Sequence, residues 1–157
     1  MLLAKNTNAD VTLDTWTVSN TKINQVSDVN DYEFGVTMSQ SFVMNNITHS
    51  CDIARSHCKV LRFYQASKSI TLTNSDFSMV ANSANYQIDT NSKLPPFMIT
   101  ADTLTMSNNS FSGFKELNTQ GGVFKTLAAT ITDENSNYYE NSGTTGGVFY
   151  IEGAGTA

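Results

Sequence analysis

Positive charge is scarce in this chain. Its 157 residues carry nine Lys and Arg against 14 Asp and Glu, a formal net charge of -5 at pH 7. Nucleic acid and anionic membrane surfaces are held by basic patches, so neither is an expected partner. No apolar run approaches the ~18 residues of a membrane-spanning helix, so no membrane insertion is expected of this segment. The opening Met1-Leu-Leu-Ala-Lys-Asn6 is too short for a secretory signal. Helical i, i+3, i+4 periodicity never persists long enough for a crossover helix. A phosphate loop, a Ser/His/Asp arrangement and a dinucleotide motif are all missing. The glycine pairs at Gly121-Gly122 and Gly146-Gly147 precede strand-like runs, whereas phosphate loops precede helices.

What the chain has in quantity is uncharged polarity. Charged residues make up 15 %, while Ser, Thr and Asn together supply roughly a third of the chain. Such a composition is compatible with disorder, but the apolar residues are regularly spaced and Thr, Val, Ile, Phe and Tyr favour strands. A folded all-β chain is therefore expected, as one domain over 1–157.

The organising stretch is Leu104 to Phe114, followed by Gly121-Gly-Val-Phe124. Leu104, Met106, Phe111 and Phe114 align with Ile70, Leu72, Phe77 and Val80, and with Trp16, Val18, Ile23 and Val26, at identical internal offsets. Phe42, Asn45 and Ile47 form a looser copy in which Gln40 takes the first apolar position. Ala129, Ile131 and Tyr138 form another, with two extra residues before the aromatic. Stacking the copies yields a core ladder of Ile23, Ile47, Phe77, Phe111 and Tyr138, and a turn ladder of Asn20, Asn74, Asn108 and Asp133. Asn and Asp tolerate left-handed backbone angles and bond neighbouring amides, which suits a stacked turn between short strands. Trp16 reads as a core filler, with a carbohydrate platform as the other reading. Pro95-Pro96 marks irregular backbone entering the strand at Phe97.

Short alternating strands without crossover helices must pair with copies of themselves, so the expected fold is a parallel β-helix of about five coils. Parallel crossovers prefer the right hand. Strand-like residues at Met1-Leu-Leu and at Val148-Phe-Tyr-Ile151 leave both ends looking like cuts through an array. The expectation is a segment of a longer chain, with Met1 internal and other segments or subunits packing end to end or laterally.

Gly121-Gly-Val-Phe124 and Gly146-Gly-Val-Phe149, the latter preceded by Tyr138-Tyr-Glu-Asn141, resemble the paired Gly-Gly-Ala-aliphatic and Phe-x-x-Asn repeats of chlamydial polymorphic outer-membrane proteins. Similar repeats occur in large predicted surface proteins of ciliated protists. The resemblance implies a right-handed parallel β-helix used for adhesion and surface display. It is partial: only the last two copies carry Gly-Gly, Val replaces Ala, Tyr replaces Phe, and Phe111-Ser-Gly-Phe114 lacks the Asn.

The chemically distinctive stretch holds every Cys and His: His49, Cys51, His57 and Cys58, with Arg55 and Arg62 in or beside it. The spacing is not a standard zinc pattern. A Cys51–Cys58 disulfide is the simplest reading in a chain that looks extracellular; free thiols, a metal site and an intermolecular bond are the others. Asn46-Ile-Thr48 and Asn108-Asn-Ser110 match the N-glycosylation acceptor, although a buried ladder residue at Asn108 would exclude a glycan there. A sugar-cleaving β-helix would need clustered carboxylates with basic partners. Asp28, Asp31 and Glu33, and Asp133 and Glu134 with Glu140, read instead as solvated turn charges. The expected role is non-catalytic, without a cofactor: a rigid stalk, fibre or display scaffold at the cell surface, with glycans as possible partners. The alternatives are a carbohydrate-binding or carbohydrate-cleaving β-helix and an intracellular scaffold.

Overall fold

The computed structural model describes residues 2–4, 15–25, 34–36, 40–53, 58–63, 67–81 and 95–152. Every element there is a β-strand. In chain order they are β1 (Leu2–Ala4), β2 (Thr15–Gln25), β3 (Phe34–Val36), β4 (Ser41–Ile53), β5 (Leu61–Phe63), β6 (Ser67–Thr73) and β7 (Asp76–Ala81). They continue with β8 (Phe97–Ser107), β9 (Ser110–Ser112), β10 (Lys115–Gln120), β11 (Phe124–Glu134), β12 (Asn137–Tyr139), β13 (Ser142–Thr145) and β14 (Phe149–Ile151). All pairings are parallel, and strands pair with their counterparts in neighbouring coils. This is a parallel β-solenoid.

Three strand stacks line the core, and β10 and β13 form a separate parallel pair. The first runs β2-β4-β6-β8-β11 and aligns Trp16, Phe42, Ile70, Leu104 and Ile131 in one inward column. Two residues on, Val18, Met44, Leu72, Met106 and Asp133 form the next. Beyond a bend, a second stack aligns Ile23, His49, Phe77, Phe111 and Tyr138. The third aligns Phe34, Leu61, Phe97, Phe124 and Phe149. Alternation along the first stack sends Thr17, Thr71, Thr105 and Thr132 outward between these rungs, the period-2 pattern of a half-buried sheet.

Aromatic columns fill the interior. Phe77 stacks on Phe111 and Phe111 on Tyr138, with planes 8° and 7° apart, and Phe124 stacks on Phe149 at 8°. The two columns meet edge to face: Phe97 against Phe77 and Phe111, and Phe124 against Phe111. Offset stacking along a column and edge contacts between columns are the two favourable ring arrangements. Trp16, Val18 and Ile23 at one end and Ile131, Tyr138 and Phe149 at the other are only partly buried against this core.

Two features of the register differ from the sequence expectation. Opposite Phe77 lies His49, and Ile47 pairs instead with Thr21. Ile47 is buried, but the ladder position belongs to His49, seven residues after Phe42 as Phe77 is seven after Ile70. In the last copy Ile131, not Ala129, aligns with Leu104, so no extra residues precede Tyr138. Asp133 therefore lies inside a strand opposite Met106, and the left-handed turn residue is Asn135 (φ 58°). The cause of both errors is the same. A polar residue occupies an apolar rung, and matching by hydrophobicity slipped each copy by two positions, which preserves strand alternation.

Candidate functional site

Each rung turns at one asparagine. Asn20, Asn46, Asn74, Asn108 and Asn135 all have φ between 51° and 58°. Asparagine enters this left-handed region at lower cost than other residues with a Cβ. The bends are exposed and stacked. Asn46 donates its Nδ2–H to Asn20 Oδ1 at 2.8 Å, and Asn108 donates to Asn74 Oδ1 at 3.4 Å. Between them the ladder steps sideways: Asn74 donates to Asn45 Oδ1 at 2.9 Å, which Thr73 also reaches. Behind this row runs a buried polar one that hydrophobic matching could not reveal. Ser75 N–H donates to Asn109 Oδ1, Asn109 Nδ2–H to Leu72 O, and Ile47 N–H to Ser75 Oγ. These bonds satisfy amides that the bends withdraw from the strand ladders. Its only sequence signal is the Ser or Asn directly after Asn74, Asn108 and Asn135.

A groove of about 460 Å³ follows the outside of the bends, lined among others by Thr48, Asn74, Asp76, Asn108, Ser110 and Asn135. Both sequon asparagines, Asn46 and Asn108, are solvent-exposed. The conflict between ladder and glycan at Asn108 therefore does not arise from burial. A glycosylated amide also keeps one N–H for its neighbour.

Gly122 sits where two coils approach closely, whereas its counterpart Gly147 is open. A Cβ on Gly122 would lie 2.1 Å from Gly147 O and 2.6 Å from Ser142 O, so the close approach of coils requires glycine there. Asn141, the Asn of Tyr138-Tyr-Glu-Asn141, donates Nδ2–H to Phe111 O at 2.8 Å and accepts from Phe114 N–H at 3.0 Å. It staples one coil to the one before it.

Asp133 accepts a hydrogen bond from Tyr138 O–H at 2.5 Å. Burial, reinforced by that carboxylate, pushes the Tyr138 phenol well above its usual range. Asp133, Glu134 and Glu140 are exposed, and Glu140 itself adopts a left-handed angle (φ 56°), where the preceding coil has Gly113. Asp28, Asp31 and Glu33 lie outside the described residues, as do Arg55 and His57.

Of the Cys/His stretch, His49, Cys51 and Cys58 lie together in space. Cys51 and Cys58 form a disulfide, with Cα atoms 5.9 Å apart. His49, two residues before Cys51 on β4, points the same way as Cys51, and its Nδ1 lies 3.7 Å from Cys51 Sγ. All three side chains are 0 % exposed. Desolvation lowers the His49 pKa to about 4, so the imidazole is neutral at pH 7. Its Nε2 is buried without a hydrogen-bond partner. Burying such a group costs stability, which singles out His49 in an otherwise apolar column.

Comparison with known protein families, with curated proteins and with solved structures yields no match.

Proposed function

We propose that the chain is a non-catalytic structural segment: a right-handed parallel β-helix of five coils, serving as a rigid stalk, fibre component or display scaffold of a larger cell-surface protein. The observation that supports this best is the constancy of the rung against the variation of the loops. The offsets +2, +4 and +7 recur through Trp16, Phe42, Ile70, Leu104 and Ile131. The segments between rungs differ in length, so the part of the sequence under geometric constraint is the stack. The partly buried Ile131, Tyr138 and Phe149 lie where another segment or subunit would pack end to end, stabilising by ~25 cal/mol per Å² of apolar surface covered.

Adhesion and surface display follow from the repeat resemblance, and an extracellular address is supported by the Cys51–Cys58 disulfide, since oxidising compartments retain such bonds. Asn46 and Asn108 are the proposed glycan positions. The test is negative-stain electron microscopy of the protein from its natural source, combined with peptide mass spectrometry. Rods whose length grows by ~4.8 Å per coil, with glycans on those asparagines, are expected. Compact particles with unmodified asparagines would refute the reading.

A second reading is favoured by the amide-lined groove along the Asn bends: binding of a neutral carbohydrate by a row of amides and hydroxyls. Calorimetry against neutral oligosaccharides, with Asn74→Ala as control, separates the two. Saturable binding lost in the variant supports a lectin-like role, and no heat supports the structural one.

A further inference from the structure

We propose that reduction of the Cys51–Cys58 disulfide creates a zinc site from Cys51 Sγ, Cys58 Sγ and His49 Nδ1, so that one clip closes the second coil under oxidising and reducing conditions alike.

The geometry carries this. The three donor atoms lie within 4.8 Å of one another. Zinc–sulfur and zinc–nitrogen bonds of about 2.3 and 2.0 Å at a tetrahedral angle set the sulfur–nitrogen edge at ~3.6 Å. Cys51 Sγ and His49 Nδ1 are 3.7 Å apart, so that edge exists before any metal arrives. The sulfur–sulfur edge must open from a covalent bond to ~3.8 Å, a displacement that side-chain rotation at either cysteine supplies.

The chemistry agrees. Two thiolates and a dication sum to zero charge, which suits a site with no solvent exposure, whereas a monovalent ion would leave a net buried anion. Metal ligation uses a neutral imidazole and two thiolates, the donor set that His49, Cys51 and Cys58 can supply. The place of His49 in an aromatic column gives no packing reason for histidine, because Phe77 and Phe111 fill the same position in the following coils. With three protein ligands, the fourth position would take a single enclosed water.

The steps balance. An external dithiol transfers two electrons and two protons to the disulfide and is itself oxidised to a disulfide, leaving two thiols. Zinc then binds both sulfurs and releases two protons.

The test uses the whole chain, reduced with a non-thiol phosphine and stripped of metal, then titrated with Co²⁺ as an optical probe and with Zn²⁺ in competition. One Co²⁺ per chain is expected, with thiolate charge-transfer absorption and tetrahedral bands that Zn²⁺ abolishes; the oxidised protein gives neither. His49→Phe restores the ring of the neighbouring rungs, so it retains the strand signal in circular dichroism. It is expected to weaken Zn²⁺ more than about tenfold. Should that variant unfold, the ¹⁵N shift of His49 Nδ1 in the unaltered reduced protein decides, moving on Zn²⁺ addition if the ring is a ligand. No Co²⁺ binding after reduction, undiminished binding in a folded His49→Phe, or an unmoved Nδ1 shift would each overturn the proposal.

Discussion

Phe77 and Phe111 lie ring on ring in adjacent coils, their centroids 5.3 Å apart and their planes 8° from parallel. Phe111 also meets Phe97, Phe124 and Tyr138. Stability along a solenoid is a sum of such nearest-neighbour contacts, so a break at one rung is felt in the coils on either side.

Phe111→Ala is therefore expected to cost about 3–5 kcal/mol, read as a fall in the urea midpoint at unchanged slope. Phe111→Asp places an unpaired charge in the same column and should unfold the neighbouring coils. A near-neutral Phe111→Asp would remove Phe111 from the core.

The two glycine pairs make a controlled comparison. Gly122→Ala would bring a Cβ to 2.1 Å from Gly147 O and is expected to destabilise by several kcal/mol or prevent folding. Gly147→Ala meets nothing within 4 Å and should leave the melting temperature almost unchanged. Equal effects would contradict the stacking of these turns.

At the bends, Asn74→Ala should cost about 1–2 kcal/mol, because alanine is strained at the left-handed angle (φ 51°). The hydrogen bond that Asn74 Nδ2–H donates to Asn45 Oδ1 is lost as well. Asn74→Gly should lose less than Asn74→Ala, since glycine adopts the angle freely. A larger loss for glycine, measured by chemical denaturation, would show that the side-chain bonds and not the backbone angle dominate.

His49 sets a pH dependence. Its folded pKa is depressed to about 4 from 6.5. Between these values the unfolded chain binds more protons, so stability falls with falling pH. The contribution is fully present above 6.5 and lost as the pH drops through 4, a total of about 3 kcal/mol. Denaturation midpoints between pH 7.5 and 4 should decline in the unaltered protein and decline less in His49→Phe. Identical slopes would mean that His49 is not buried.

The solenoid was legible because its rungs repeat at fixed offsets, and Trp16, Ile70 and Leu104 fell into the correct column from spacing alone. The two-residue slips arose where a polar residue occupies an otherwise apolar rung, at His49 and at Asp133. Counting from the asparagine bends avoids both: Asn20, Asn46, Asn74, Asn108 and Asn135 each lie four residues after the first rung and three before the last. Backbone demand at a left-handed turn is a sharper register mark than hydrophobicity, because few residue types meet it. The disulfide was also readable, from two cysteines at short separation. Its closeness to His49 was not, since that depends on β4 pointing residues 49 and 51 to one side only when their register is known.

In-register parallel stacking is the claim on which all else rests, and a distance between spin labels tests it most directly. Thr17 and Thr132 are outward residues of one column, linked through Val43, Thr71 and Thr105 by four strand steps. Nitroxides at Thr17→Cys and Thr132→Cys, with the native disulfide intact, should give a narrow double electron–electron resonance distribution near 20 Å, four spacings of ~4.8 Å. A broad distribution, or a distance about twice as long, would contradict the solenoid.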